Sequence, residues 1–233
     1  MNKWLKMTEV ERELAYNPKK AVVNHEIFQN LATRSAAHFR KKIENKFLNI
    51  SYGNGKKEKL DIFVPNNPHK CPVQVYFHGG YWVSRDKYDH SHLAEPSIKN
   101  NIIHISVNYD LCPDVTLDII VEEAIEAIKW INNNISKYGG DKNNINLIGH
   151  SAGAHLVAMA LTKNILKKES FIKSATLISG VFRIAPVLHP LLVTIMTGKS
   201  FNVVPSLPPL PSYNDTCSAT HLEGLGIYSF MIN

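Results

Sequence analysis

Two short stretches carry residue types suited to acyl transfer. Gly149-His150-Ser151-Ala152-Gly153 fits the pattern G-x-S-x-G. A serine hydroxyl is a weak nucleophile, so it needs a base, an exposed position and donors for the oxyanion that forms. Flanking glycines let a strained strand-to-helix turn close without Cβ clashes, which lifts the hydroxyl to the mouth of a sheet. The Ala152 N–H, at the start of the helix, then points toward developing negative charge. The second stretch is His78-Gly79-Gly80-Tyr81-Trp82, also directly after an apolar run. Glycines there let backbone N–H groups approach a substrate oxygen, so Gly79 and Gly80 are the expected partners of Ala152 in an oxyanion hole.

Each residue also has a plainer reading. Ser151 alone could cap a helix. His78 is placed to brace its loop by hydrogen bonding rather than to act as a base, and His150 and His155 read as packing or positioning residues. Tyr81 and Trp82 read either as core or as walls of a pocket. The two motifs strengthen each other, because strand, helix and strand patterns separate them.

The elements that must position these motifs can be read from periodicity. Residues 1–45 form an N-terminal helical segment. Thr8 and Glu11 make a capping-box pattern, and Ile27, Leu31 and Ala32 recur at helical spacing, as if to pack over one end of a sheet. "KFLNISYG" and "EKLDIFVP" alternate around the turn residues "NGKK", which predicts an antiparallel hairpin. "CPVQVYF", "NIIHISV", "NINLIGH" and "SATLISG" read as further strands. Between them, Ile119, Ile120, Ala124, Ala127, Ile128 and Ile131 mark a helix that ends at Gly139–Gly140. A second helix runs from Ala152 to about Leu166. Strands alternating with helices imply an α/β fold, a mostly parallel sheet covered on both faces. The core is therefore expected over residues 46–182.

The tail, residues 183–233, differs. Prolines 186, 190, 205, 208, 209 and 211 interrupt it, and "LPPLP" fits neither helix nor central strand. The last eighteen residues hold one weak strand candidate. An open α/β sheet would normally continue here, so the sheet is expected to be incomplete at the C-terminus, as in a truncated or alternatively ended chain.

Composition narrows the function classes. The chain has 233 residues, 44% hydrophobic and 20% charged, which suits one domain with a sizeable core. A net charge of +6 is spread over scattered lysines rather than a stripe, so no nucleic-acid partner is expected. Cys71, Cys112 and Cys217 are far apart and odd in number, which argues against a disulfide framework and a zinc site. No apolar run is long enough to span a membrane, and no secretory signal is visible, so a cytoplasmic setting is the expectation.

Taken together, "HGGYW", "GHSAGAHL", "ELAYNP", "SGVF" and the middle stretch "NYDLCPDVTLDIIVEEAIEAIKWI" resemble kynurenine formamidase (arylformamidase), in the esterase/lipase group of the α/β-hydrolases. The resemblance covers roughly residues 8–188. It implies hydrolysis of N-formyl-L-kynurenine, a small aromatic formamide, to L-kynurenine and formate in tryptophan catabolism. Ser151 would be the nucleophile, with no metal or organic cofactor, in a homodimer. In this fold the acid and histidine follow the serine. Only His189 and His221 lie beyond position 155, and Asp215 is the only aspartate after Asp141. Asp215 and His221 have the right order but sit six residues apart, closer than the family places them. A general carboxylesterase and a non-catalytic α/β-hydrolase-like protein are the alternatives.

Overall fold

A computed structural model of the chain describes residues 6–16, 18–162, 171–182, 219–222 and 227–231. The capping box forms as the sequence predicts. The Thr8 N–H donates to the Glu11 carboxylate at 2.7 Å, and the Glu11 N–H donates to Thr8 Oγ1 at 3.3 Å. This opens α1 (Glu9–Tyr16), which is followed by the short α2 (Pro18–Ala21) and by α3 (His25–Lys42).

α3 docks through a different face from the one its spacing suggests. Ile27 and Leu31 are 62% and 61% exposed, whereas Ala36 and Phe39 are buried. Phe39 meets Phe63 edge-on at 5.4 Å, and Arg40 donates to Ser91 Oγ at 2.8 Å. The helix thus packs on β2 and on the segment around Ser91, and its Ile27–Leu31 stripe is not the packed one. Helical spacing shows that two residues share a face but not which face meets the sheet.

The hairpin comprises β1 (Lys46–Ser51) and β2 (Lys59–Phe63), paired antiparallel. Next come β3 (Cys71–Phe77), α4 (Ala94–Lys99), β4 (Ile103–Val107), α5 (Leu117–Asn134), β5 (Gly140–His150), α6 (Ala152–Thr162) and β6 (Ile172–Ile178). The strand order is β1-β2-β4-β3-β5-β6, continued by β8 (Ile227–Met231) and β7 (Ala219–Leu222). β4, β3, β5 and β6 run parallel, and the flanking strands are antiparallel. The last eighteen residues therefore supply two short strands rather than one. The proline-rich calls between 183 and 218, with Asp215 and His189, lie outside the described residues.

Burial explains the parallel centre. All five residues of β4 are buried, as expected of a strand covered on both faces. α5 buries Ile120, Ala124, Ala127, Ile128 and Ile131, but Ile119 is half-exposed at the rim of that stripe. α6 is small-residued and buried along most of its length. Its helical state is described to Thr162; the stretch expected to extend it to about Leu166 lies outside the described residues. Cys71 and Cys112 are buried free thiols. Among the described residues no helix is long and apolar enough to cross a membrane, and no cluster of His, Cys, Asp or Glu is placed to hold a metal ion.

Candidate active site

Register brings three loops to one edge. Phe77 pairs with Val107 on one side and with Gly149 on the other. His78, Asn108 and His150 therefore leave the sheet side by side at its carboxyl end. Open α/β sheets bind ligands at that end.

Ser151 sits between β5 and α6 with φ 53°, the left-handed region that a non-glycine residue rarely adopts. The turn is held from both sides. The Ser151 N–H donates to Ile178 O at 2.8 Å, and Ser151 O accepts from the N–H groups of Ala154 at 3.0 Å and His155 at 3.2 Å. Such a tight turn needs bare backbone around it. A Cβ on Gly153 would lie 2.1 Å from Phe77 O, and one on Gly149 would lie 2.5 Å from Ala154 Cα. Ser151 is partly exposed, and among the described residues its hydroxyl has no hydrogen-bond partner.

The second motif packs against this turn. A Cβ on Gly79 would stand 3.1 Å from Ser151 Cβ and 3.0 Å from His150 Nδ1. Gly80 has φ +123°, and Tyr81 and Trp82 follow at 53° and 58°. Glycine adopts such a φ freely, but two successive side-chain-bearing residues there are costly, and strain of this kind clusters at functional sites.

The carbonyls of this loop are anchored to protein. Tyr109 Oη donates to His78 O at 2.6 Å. His78 Nδ1 lies 2.7 Å from Gly79 O. Gly80 O accepts from the Val83 and Ser84 N–H groups, each at 3.1 Å, and from Ser84 Oγ at 3.0 Å. A trans peptide sends its C=O and the next N–H to opposite sides. Anchoring His78 O and Gly79 O therefore turns the Gly79 and Gly80 N–H groups away from those partners. Among the described residues the N–H groups of Gly79, Gly80 and Ala152 donate to no protein acceptor. That leaves three backbone donors uncommitted in the two segments that meet where Gly79 packs on Ser151.

His78 is fully buried, its Nε2 3.0 Å from Asn108 Oδ1, and its ring stacks on Tyr109 at 4.3 Å. Burial lowers its pKa, against the pull of the Gly79 carbonyl and Asn108. Asn108 in turn donates to Asp86 Oδ2 at 2.8 Å and accepts from the Lys87 N–H at 3.3 Å. None of Asn108, Tyr109, Asp86 or Lys87 belongs to either motif. The signal that could have found them is the "NYD" closing a buried strand next to the first motif, at the carboxyl end where sites form.

The remaining sequence candidates fall as follows. Trp82 is fully buried core and Tyr81 is half-buried against the core. His155 is buried against Trp82, and burial pulls its pKa to about 4. His150 is exposed beside Gly79. His221 lies on β7, paired with Tyr228, three strands from β5. At about 4.8 Å per strand that backbone is on the order of 14 Å from the elbow.

The BD-FAE family model matches residues 60–187. This chain belongs to the BD-FAE family. The BD-FAE match contains both motifs, the anchoring residues Asp86, Asn108 and Tyr109, and all four parallel strands. Kynurenine formamidase of Danio rerio is 29% identical over 199 residues, covering 81% of this chain and 66% of that protein. The chain thus spans slightly less than two thirds of that relative's length. The isoprenylcysteine alpha-carbonyl methylesterase ICME of Arabidopsis thaliana is 38% identical over 120 residues, 51% of this chain and 28% of the relative. A solved protein of Silicibacter sp. TM1040 superposes with a TM-score of 0.70 at 30% identity, covering 79% of this chain and 70% of its own. The BD-FAE chain has an α/β-hydrolase fold, and its sequence is similar to kynurenine formamidases.

Proposed function

We propose that this chain is a serine hydrolase that cleaves N-formyl-L-kynurenine to L-kynurenine and formate. The observation that carries the reading is the strained Ser151, with Gly79 packed against it and the N–H groups of Gly79, Gly80 and Ala152 uncommitted among the described residues. The similarity to kynurenine formamidases supports the substrate class.

In this reading Ser151 Oγ attacks the formyl carbon and gives up its proton to a base. Negative charge collects on the former carbonyl oxygen, where Gly79, Gly80 and Ala152 donate to it. The C–N bond breaks, the arylamine takes the proton, and a formyl-serine remains. Water then attacks this ester and releases formate. His78 holds the donor loop and takes no proton. Among the described residues no histidine or carboxylate is hydrogen-bonded to Ser151. The substrate is a small molecule, the site is cytoplasmic, and the working form is a homodimer.

A carboxylesterase is the second reading, favoured by the 38% identity to a methylesterase over 120 residues. Turnover of N-formylkynurenine beside short p-nitrophenyl esters separates the two. The formamidase reading expects the formamide to be preferred in kcat/KM. Preference for the esters by orders of magnitude would sink it. A fluorophosphonate probe that leaves Ser151 unlabelled at neutral pH would sink both in favour of a non-catalytic protein.

A further inference from the structure

We infer that Tyr109 is a positioning residue for the oxyanion donors, acting through the main chain of His78. The inference rests on the reading of Ser151 as nucleophile and extends it to a residue outside both motifs.

Tyr109 follows the end of β4 by two residues and is fully buried. Its ring lies flat against the His78 imidazole, with centroids 4.3 Å apart and planes 13° off parallel. Its hydroxyl ends at the one peptide group that decides where the Gly79 N–H points. Tyr109 Oη donates to His78 O at 2.6 Å. It also lies 3.3 Å from His78 Nδ1, the ring nitrogen that faces Gly79 O. One phenol therefore touches both the carbonyl that aims the Gly79 N–H and the ring that holds the carbonyl aiming the Gly80 N–H.

The residue is well suited to this task. Burial pushes the phenol well above its ordinary range, so it keeps its proton at neutral pH. The ring is held by the main core cluster and has no freedom to swing away. The loop is strained and needs an outside constraint, since residues at positive φ persist only where their surroundings over-determine them. Without the phenol, the His78–Gly79 peptide loses its anchor and can rotate. The Gly79 N–H then no longer faces the position of the oxyanion.

Tyr109→Phe removes one oxygen and keeps the ring stack. Two measurements on the full chain test it: the Gly79 and Gly80 amide signals in a ¹H–¹⁵N spectrum, and the rate of Ser151 labelling by a fluorophosphonate. We expect the Gly79 signal to move, and labelling and kcat to fall by about 10- to 100-fold, less than the 10²–10³ that loss of a whole donor costs. KM should stay within a few-fold, because the aim of the donor matters most once the oxyanion has formed. His78→Asn in the same background should add little, since both act on one loop. An unmoved Gly79 signal with unchanged labelling overturns the positioning role and leaves the nucleophile reading intact. An unsubstituted chain that does not label at Ser151 overturns both. Should Tyr109→Phe lower the melting temperature below that of the assay, 3-fluorotyrosine at position 109 serves instead. It strengthens the same donor, and an unaltered Gly79 signal there overturns the role equally.

Discussion

The indole of Trp82 stands edge-on to the imidazole of His155, with ring centres 5.0 Å apart and planes 83° from each other. The pair joins the donor loop to α6. His155 is one helical turn past Ser151, and its N–H donates to Ser151 O. Among the described residues neither Trp82 Nε1 nor His155 Nδ1 has a hydrogen-bond partner, so packing and the ring contact hold the pair. Trp82→Ala should lose about 3–5 kcal/mol in urea unfolding, the usual cost of removing a large buried aromatic. A double-mutant cycle with His155→Ala should give a coupling of about 0.5–1.5 kcal/mol. Strict additivity would show that the two motifs are not held together by this contact.

Ser151→Gly should abolish fluorophosphonate labelling without weakening the fold. The φ of 53° costs a side-chain-bearing residue on the order of 1 kcal/mol or more, and glycine adopts it freely. Glycine's greater unfolded-state entropy offsets part of that gain. The melting temperature is therefore expected to stay level or rise. A fall of several degrees would mean that the turn is not strained and that serine is there for stability.

The two motifs were legible because each is contiguous and its chemistry is local. The central strands and the helices α5 and α6 followed from apolar spacing, but the order of the strands did not. Tyr109 and Asn108 were not legible, because their roles depend on partners 30 or more residues away that only the β3–β4 register brings together. Ile27 and Leu31 misled for a related reason. Their spacing is helical, but the docking face of α3 was decided by Ala36, Phe39 and Arg40 against a segment about 50 residues further on.

Acidification should destabilise the chain. Burial holds His90 and His104 at a pKa of about 3 and His155 at about 4, whereas the unfolded chain titrates near 6.5. Below about pH 6.5 the unfolded state therefore binds more protons than the folded one. Stability is fully present above that pH and is lost as pH falls toward 4, at up to about 1.4 kcal/mol per unit for each histidine. Glu123 works in the opposite direction. Burial raises it to about 7, so it favours the fold more as pH drops from 7 toward 4.5. Three histidines outweigh one carboxyl. Urea midpoints at pH 6.5 and 4.5 check this; equal midpoints would contradict it, and His104→Gln should flatten the slope.

The deepest charges in the described chain are Lys87 and Asp61, and they should be intolerant of single removal. Lys87 Nζ and Asp61 Oδ1 are 2.9 Å apart, with side-chain exposures of 1% and 0%. Lys87 Nζ also donates to Asn49 Oδ1 at 2.9 Å and lies 3.6 Å above the Tyr88 ring. Asp61 Oδ1 accepts a second bond from the Asn49 N–H, but among the described residues Asp61 Oδ2 has no hydrogen-bond partner. Attraction in so dry a place is offset by desolvation, so the pair itself adds little net stability. Breaking it is another matter. Lys87→Met should cost about 3–5 kcal/mol, because it strands a buried carboxylate. Adding Asp61→Leu should recover most of that loss, since no charge then remains buried. The Lys87 N–H still donates to Asn108 in both variants, so Ser151 labelling should survive wherever the fold does. Chemical unfolding of the two single variants and the double variant decides the matter. A double variant no more stable than Lys87→Met would show that the ion pair is needed for more than mutual neutralisation.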